Sequence, residues 1–305
     1  MSLSSSLQTA ITNHTAPQDA TLQCCVLSNM SLISVAGPDA QKFLQGQLTC
    51  DINALDATNS SRGAHCTPKG RAIASFTVAQ ATEANYLFAL PSDNTEALSK
   101  ALGKYIVFSK AKIEPKADWA VIGIQGEGAQ QFATGFESSE SAVIVNRGDN
   151  RYQLWAEQTL LAEKWSVLFA QAQIINEQAW HKADIEQGLC DIVEATREEF
   201  IPQMFGLKED DGISYKKGCY TGQEIVARLH FLGQQKRSLF HFTTEATVSI
   251  GDEVKNQADK SVGAVAAFSE GQGLAVLSKS AQEDELNING NAIAATLVTP
   301  EPEAS

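Results

Sequence analysis

A chain of 305 residues with 43% hydrophobic and 19% charged side chains has enough apolar material for two or three packed domains and is not a disordered polymer. Its formal net charge of −13 repels phosphate backbones, so bulk DNA or RNA binding is excluded except through a local basic surface. No lysine or arginine precedes Lys42, which argues against a secretory n-region or an arginine-rich presequence, and 21–38 is too broken by polar residues to span a bilayer. A cytoplasmic protein without a membrane segment is expected.

Taken in chain order, the pattern is mixed α and β. Residues 31–36 alternate as a strand, and Gly37-Pro38-Asp39 opens a helix with Pro38 suited to its first turn. Phe43, Leu44 and Leu48 fall on one face of that helix. Strands are predicted at 73–78 and 86–90, then a helix from Asp93 with Leu98, Leu102 and Ile106 at four-residue spacing. Further strands are predicted at 119–124, 142–145 and 152–155, and helices at 159–172 and 176–187. Beyond about residue 236, short β-branched runs at 239–243, 262–268, 274–277 and 293–298 alternate with Gly, Asn and Asp. Residues 236–299 therefore read as a small all-β barrel or sandwich after an α+β region over 1–235, with a frayed tail at 300–305.

Six cysteines are present, Cys24, Cys25, Cys50, Cys66, Cys190 and Cys219, with no CxxC and no Cys/His spacing for zinc, so no metal site is expected. Adjacent Cys24 and Cys25 would face opposite ways on a strand. Small buried hydrophobes account for all but Cys219.

The most informative stretch is 213–228, ISYKKGCYTGQEIVAR. Thr221 and Glu224 have the spacing of a capping box, with Ile225, Val226, Leu229 and Leu232 as an apolar helix face behind it. Cys219 would then lie just before a helix N-terminus, where the dipole and Lys216 and Lys217 favour an anion. A thiolate there is a nucleophile and a soft-metal ligand. Gly218 and Gly222 would let the backbone fold closely around the sulfur. The same residues also fit a purely structural helix start, with Glu224 and Arg228 as an ordinary i,i+4 pair.

Lys217-Gly218-Cys219-Tyr220-Thr221-Gly222-Gln223-Glu224, with Arg228 four residues on, resembles the K-G-C-Y-x-G-Q-E-x-x-x-R signature of the YgfZ family. Phe43 to Asp51, FLQGQLTCD, is similar to that family's LQGQ-T-x-D block. Lys69-Gly70-Arg71 resembles its K-G-[KR] turn, Ile185-Glu186-Gln187-Gly188 its I-E-A-G block, and Phe200-Ile201-Pro202-Gln203 its F-I-P-Q block. Gln187 replaces the usual alanine. The resemblance extends to the T-protein of the glycine cleavage system. It implies an α+β, three-domain cloverleaf around a folate channel, with two intertwined lobes over 1–235 and a C-terminal β-barrel.

The resemblance further implies tetrahydrofolate or a one-carbon derivative as cofactor. Glu186 holds the position of a glutamate that hydrogen-bonds the pterin edge, a job a carboxylate suits because it accepts two adjacent donors side by side. Trp180 would stack on a flat ring or serve as a core residue. Met30 stands where the family has an aromatic residue, and Lys69 and Arg71 would meet the folate's glutamate tail or remain solvated. Cys219, Lys217, Tyr220, Gln223, Glu224 and Arg228 form the candidate reactive motif. Ala74 and Ser75 stand where T-proteins have acidic residues, so the glycine-cleavage aminomethyltransferase reaction is not expected. The function implied is a folate-dependent auxiliary factor in assembly or repair of iron–sulfur enzymes, whose clients include radical enzymes that thiomethylate tRNA. Two alternatives stay open, a one-carbon transferase using Cys219 and a protein that binds tRNA directly.

Overall fold

The computed structural model describes residues 2–209, 212–233 and 235–298, which divide into two compact units. The expected tail at 300–305 lies outside the described residues.

The first unit comprises Met1–Gly46, Asp51–Arg62 and Phe76–Glu177. One five-stranded sheet runs in the order Ala172–Ile174, Leu22–Val26, Trp119–Gly126, Arg151–Glu157, Ala142–Gly148. The first pair is parallel and the others antiparallel. Helices Ser5–Thr12 and Gln158–Leu168 supply Leu7, Leu161 and Trp165 to a core with Ile122, Ile124 and Leu154. Cys24 and Cys25 are both buried, and burial pushes the Cys24 thiol up to about 12. A second sheet has the order Ser60–Cys66, Ala72–Thr82, Asn85–Pro91, Met30–Ala36, Lys112–Pro115, and its first two strands run on into segments of the second unit.

Three local expectations fail here. The helix after Gly37 begins at Ala40, with Asp39 as its N-cap residue and Pro38 outside it. The Asp39 carboxylate accepts from the Lys110 backbone N–H at 2.7 Å and does not cap the helix. The helix also stops at Gln45, so Leu48 is not on its face but in an isolated bridge with His65. The helix predicted to reach residue 172 ends at Leu168, because Ala172 and Gln173 are taken into parallel pairing with Leu22 and Gln23.

The second unit comprises Gln47–Cys50, Gly63–Ser75 and Gln178–Ser305. Its C-terminal part is a closed barrel in the order Arg237–Thr243, Gln272–Ser278, Ser261–Ser269, Glu253–Asn256, Leu286–Ile288, Asn291–Leu297, sealed by pairing of the first strand with the last. Phe240, Phe242, Val254, Val265, Leu277 and Ile288 fill it. A second apolar cluster joins Leu239, Leu274 and Val276 of the barrel strands to Ile185, Phe200, Phe205, Ile213 and Val226. Val226 thereby roots the helix Gln223–Leu232, which follows the cysteine loop. Among the described residues no helix is long and apolar enough to cross a membrane.

Candidate functional site

Residues 214–222 are held down by the segment Gln47–Cys50, far away in sequence but in the same unit. Thr49 is the first fastening. Its backbone N–H donates to Ala64 O (3.0 Å), and its carbonyl accepts from Ser214 N (2.9 Å). Its hydroxyl donates to Gly212 O (2.6 Å) and accepts from Ala64 N (2.9 Å), using both capacities of the group in a fully buried place. The Lys217 ammonium follows, donating to the carbonyls of Leu48 (2.8 Å) and Cys50 (2.6 Å). At the far end of the loop, Thr221 Oγ1 donates to Gln47 Oε1 at 3.2 Å.

The capping box is therefore not formed. Gly222 is the N-cap residue of Gln223–Leu232 and no side chain caps it, because Gln47 has claimed the Thr221 hydroxyl. Glycine is required at that point. Its φ is +86°, and a Cβ there would lie 2.5 Å from Thr67 O, 3.0 Å from Cys66 Cβ and 3.2 Å from Gly70 Cα. The cysteine loop thus rests, backbone on backbone, against the Thr67–Gly70 turn, whose Gly70 N–H donates to Thr67 O at 2.9 Å. Gly218 differs, with open space where a Cβ would project.

The side chains of the motif separate into two sets. Lys217 and Tyr220 are buried, the ammonium 5.3 Å from the phenol ring centroid. Burial, with Cys66, Tyr215 and Cys50 nearby, pushes the Tyr220 hydroxyl above the usual tyrosine range and keeps it neutral. Among the described residues that hydroxyl has no hydrogen-bond partner. Gln223 is half-buried, its N–H donating to Tyr220 O at 3.1 Å. Cys219, Glu224 and Arg228 are exposed, and among the described residues no ion pair joins Glu224 to Arg228. Lys217 was expected to lend its charge to Cys219; its ammonium donates to two backbone carbonyls. Of the six cysteines, Cys219 alone is exposed, while burial pushes the Cys66 thiol up to about 12.

Among the candidate folate residues, Glu186 ends the helix Glu177–Glu186, is exposed, and makes no hydrogen bond or ion pair among the described residues. Its carboxylate is near enough to His241 to oppose the lowering that burial imposes on that imidazole. An open acceptor of this kind fits paired N–H donors such as a pterin edge presents. Trp180 does not fit the stacking role. It is 1% exposed, which makes it a core tryptophan with no open face. Lys69 is exposed on its turn, whereas the Arg71 guanidinium donates to the Glu199 carbonyl. Met30 belongs to the first unit, where it is buried at the start of Met30–Ala36. The structure thus gathers the motif and the Lys69–Arg71 turn at one place, and leaves Trp180 and Met30 as packing residues.

Sequence reasoning missed three features of this unit. The anchor Gln47–Cys50 was visible only as part of a resemblance block. Tyr215 stacks on His230 with ring centroids 3.9 Å apart and planes 14° apart, and both meet Phe231. Ser75, which lacks a carboxylate, donates to Asp191 Oδ1 at 2.8 Å and accepts from Ile192 N at 2.8 Å. A carboxylate therefore stands beside position 75, delivered from a different stretch of chain. Among the described residues no group of three or more His, Cys, Asp or Glu could hold a metal ion.

Comparison with known proteins agrees with this architecture. The GCVT N-terminal domain family matches residues 8–143. The tRNA-modifying protein YgfZ of Sodalis glossinidius is 35% identical over 244 residues, covering 75% of this chain and 74% of that protein. Its counterpart in Vibrio atlanticus is 35% identical over 220 residues, covering 70% of this chain and 67% of that protein. The aminomethyltransferase T of the glycine cleavage system from Bartonella henselae superposes with a TM-score of 0.72 at 15% identity, over 96% of this chain and 88% of that one, and so shares the fold. By its identity to these relatives over more than two thirds of their length, the chain belongs to the YgfZ family.

Proposed function

We propose that the protein is a folate-dependent auxiliary factor for iron–sulfur enzymes, acting in the cytoplasm, whose effect reaches tRNA modification through the enzymes it maintains. The observation that carries this reading is the presentation of Cys219. One exposed thiol stands on a loop whose neighbours Lys217 and Tyr220 are buried, so sulfur chemistry is offered outward from a fixed backbone. A soft, exposed sulfur suits exchange with an iron–sulfur client better than a closed metal site, and one cysteine cannot saturate a cluster. The names of the relatives, tRNA-modifying proteins, support the tRNA end of the reading.

A reduced folate would supply a one-carbon unit or a reducing pterin. Glu186 would hold its pterin edge through the carboxylate, and exposed Lys69 would meet its anionic tail. Calorimetry with tetrahydrofolate tests the cofactor. Saturable binding is expected, weakened by about 1–3 kcal/mol in Glu186→Ala as ligand donors lose their acceptor. Equal affinity in the two proteins would remove Glu186 from the site. Client activity tests the thiol. Cells carrying Cys219→Ser should lose thiomethylated tRNA under oxidative stress, and full activity in that strain would sink the reading.

A further inference from the structure

Lys217 lies two residues from the exposed thiol, which invites the view that its charge works on the sulfur. The geometry points elsewhere. We infer that Lys217 is a positioning residue, a pin that fixes the Cys219 loop onto the Gln47–Cys50 segment. The inference deepens the proposed role of Cys219, but the contacts behind it stand without that role.

Three observations carry it. The Lys217 side chain is 9% exposed, and an ammonium so buried must be compensated by partners held in place. The partners are two backbone carbonyls, Leu48 O at 2.8 Å and Cys50 O at 2.6 Å, both short for N–H···O bonds and so charge-assisted. Their residues lie either side of Thr49, whose own groups tie to Ser214 N and Gly212 O, so the ammonium closes a staple that Thr49 begins. The Tyr220 ring, 5.3 Å from Nζ, adds a π face to the same cage. Each of these contacts joins the loop to another part of the unit or to the ring beside it. An ammonium donates along three tetrahedral directions, which suits two carbonyls on alternate residues of one short segment; a planar guanidinium fits them less well.

The test is hydrogen exchange on the full-length protein, read at the backbone amides of 46–51 and 214–222. In Lys217→Met, exchange at both segments should rise together by about tenfold or more, because opening of one frees the other. Lys217→Arg should fall between Met and the parent. Cys219→Ser should leave both segments as in the parent. Unchanged exchange in Lys217→Met, or a rise confined to 218–220, would overturn the pin. Should Lys217→Met fail to fold, Lys217→Arg alone decides, with faster exchange limited to the two segments supporting the inference and parental exchange overturning it. None of these readings uses folate or a client enzyme, so failure of the pin and failure of the proposed function are separable.

Discussion

The two glycines of the cysteine loop should respond very unequally to the same change. In Gly222→Ala, the added methyl enters at a φ of +86°, which costs an L-residue about 1–2 kcal/mol. It would also sit 2.5 Å from Thr67 O, a backbone atom that cannot swing aside, and such overpacking costs roughly 1–3 kcal/mol more. A loss of about 2–5 kcal/mol is a large share of the roughly 5–15 kcal/mol that holds a typical domain. In Gly218→Ala the methyl meets nothing within 4 Å. With no clash and a less flexible unfolded chain, stability should stay within about 1 kcal/mol of the parent. Urea unfolding of the two variants, followed by circular dichroism, makes the comparison. A Gly218→Ala loss equal to or larger than that of Gly222→Ala would refute the packing of this loop on the Thr67–Gly70 turn.

The burial of five cysteines predicts that a thiol reagent titrates one group in the native protein and six after unfolding. Cys219→Ser should abolish the native reaction while changing stability by less than about 1 kcal/mol, since no core volume is lost. The imidazole of His241 should titrate below 6.5, because burial outweighs the opposing charge of Glu186, and in Glu186→Ala it should fall further. A depressed histidine binds its proton later in the folded state than in the unfolded one, so its contribution to stability is intact above 6.5 and erodes as pH falls below it. Proton NMR of the imidazole in both proteins is the check, and an unchanged or higher midpoint in Glu186→Ala would separate the two groups.

Local pattern carried much of the architecture. Four of the six barrel strands were visible as β-branched runs, as were the strands at 119–126 and 151–157, while Glu253–Asn256 and Leu286–Ile288 were not. What escaped was short or depended on distant partners. Lys112–Pro115 and Ala172–Ile174 are edge strands too brief to show alternation. The Thr221-to-Glu224 spacing is a sound local signal, yet the hydroxyl found a better acceptor in Gln47, 174 positions away. Lys217 was read by its neighbour in sequence, whereas its partners are carbonyls, which leave no mark in side-chain pattern. For Trp180 the pattern left both a ligand-stacking and a core role open, and its burial agrees with the core role.

The clasp between Leu48 and Lys217 spans 169 positions of chain, and that distance has a consequence for biosynthesis. At roughly 5–20 residues per second, a ribosome delivers Leu48 about 10–30 s before Lys217. During that interval the carbonyls of Leu48 and Cys50 must find water or a substitute donor, and residues 47–50 dangle between stretches that already have their own sheet to join. The loop that carries the thiol can therefore be fixed only after residue 217 is made, with the barrel strands at 237–297 still to follow. A nascent chain halted between residues 190 and 217 carries five cysteines and lacks the reactive one, so such a product cannot display the unpinned loop to the cell.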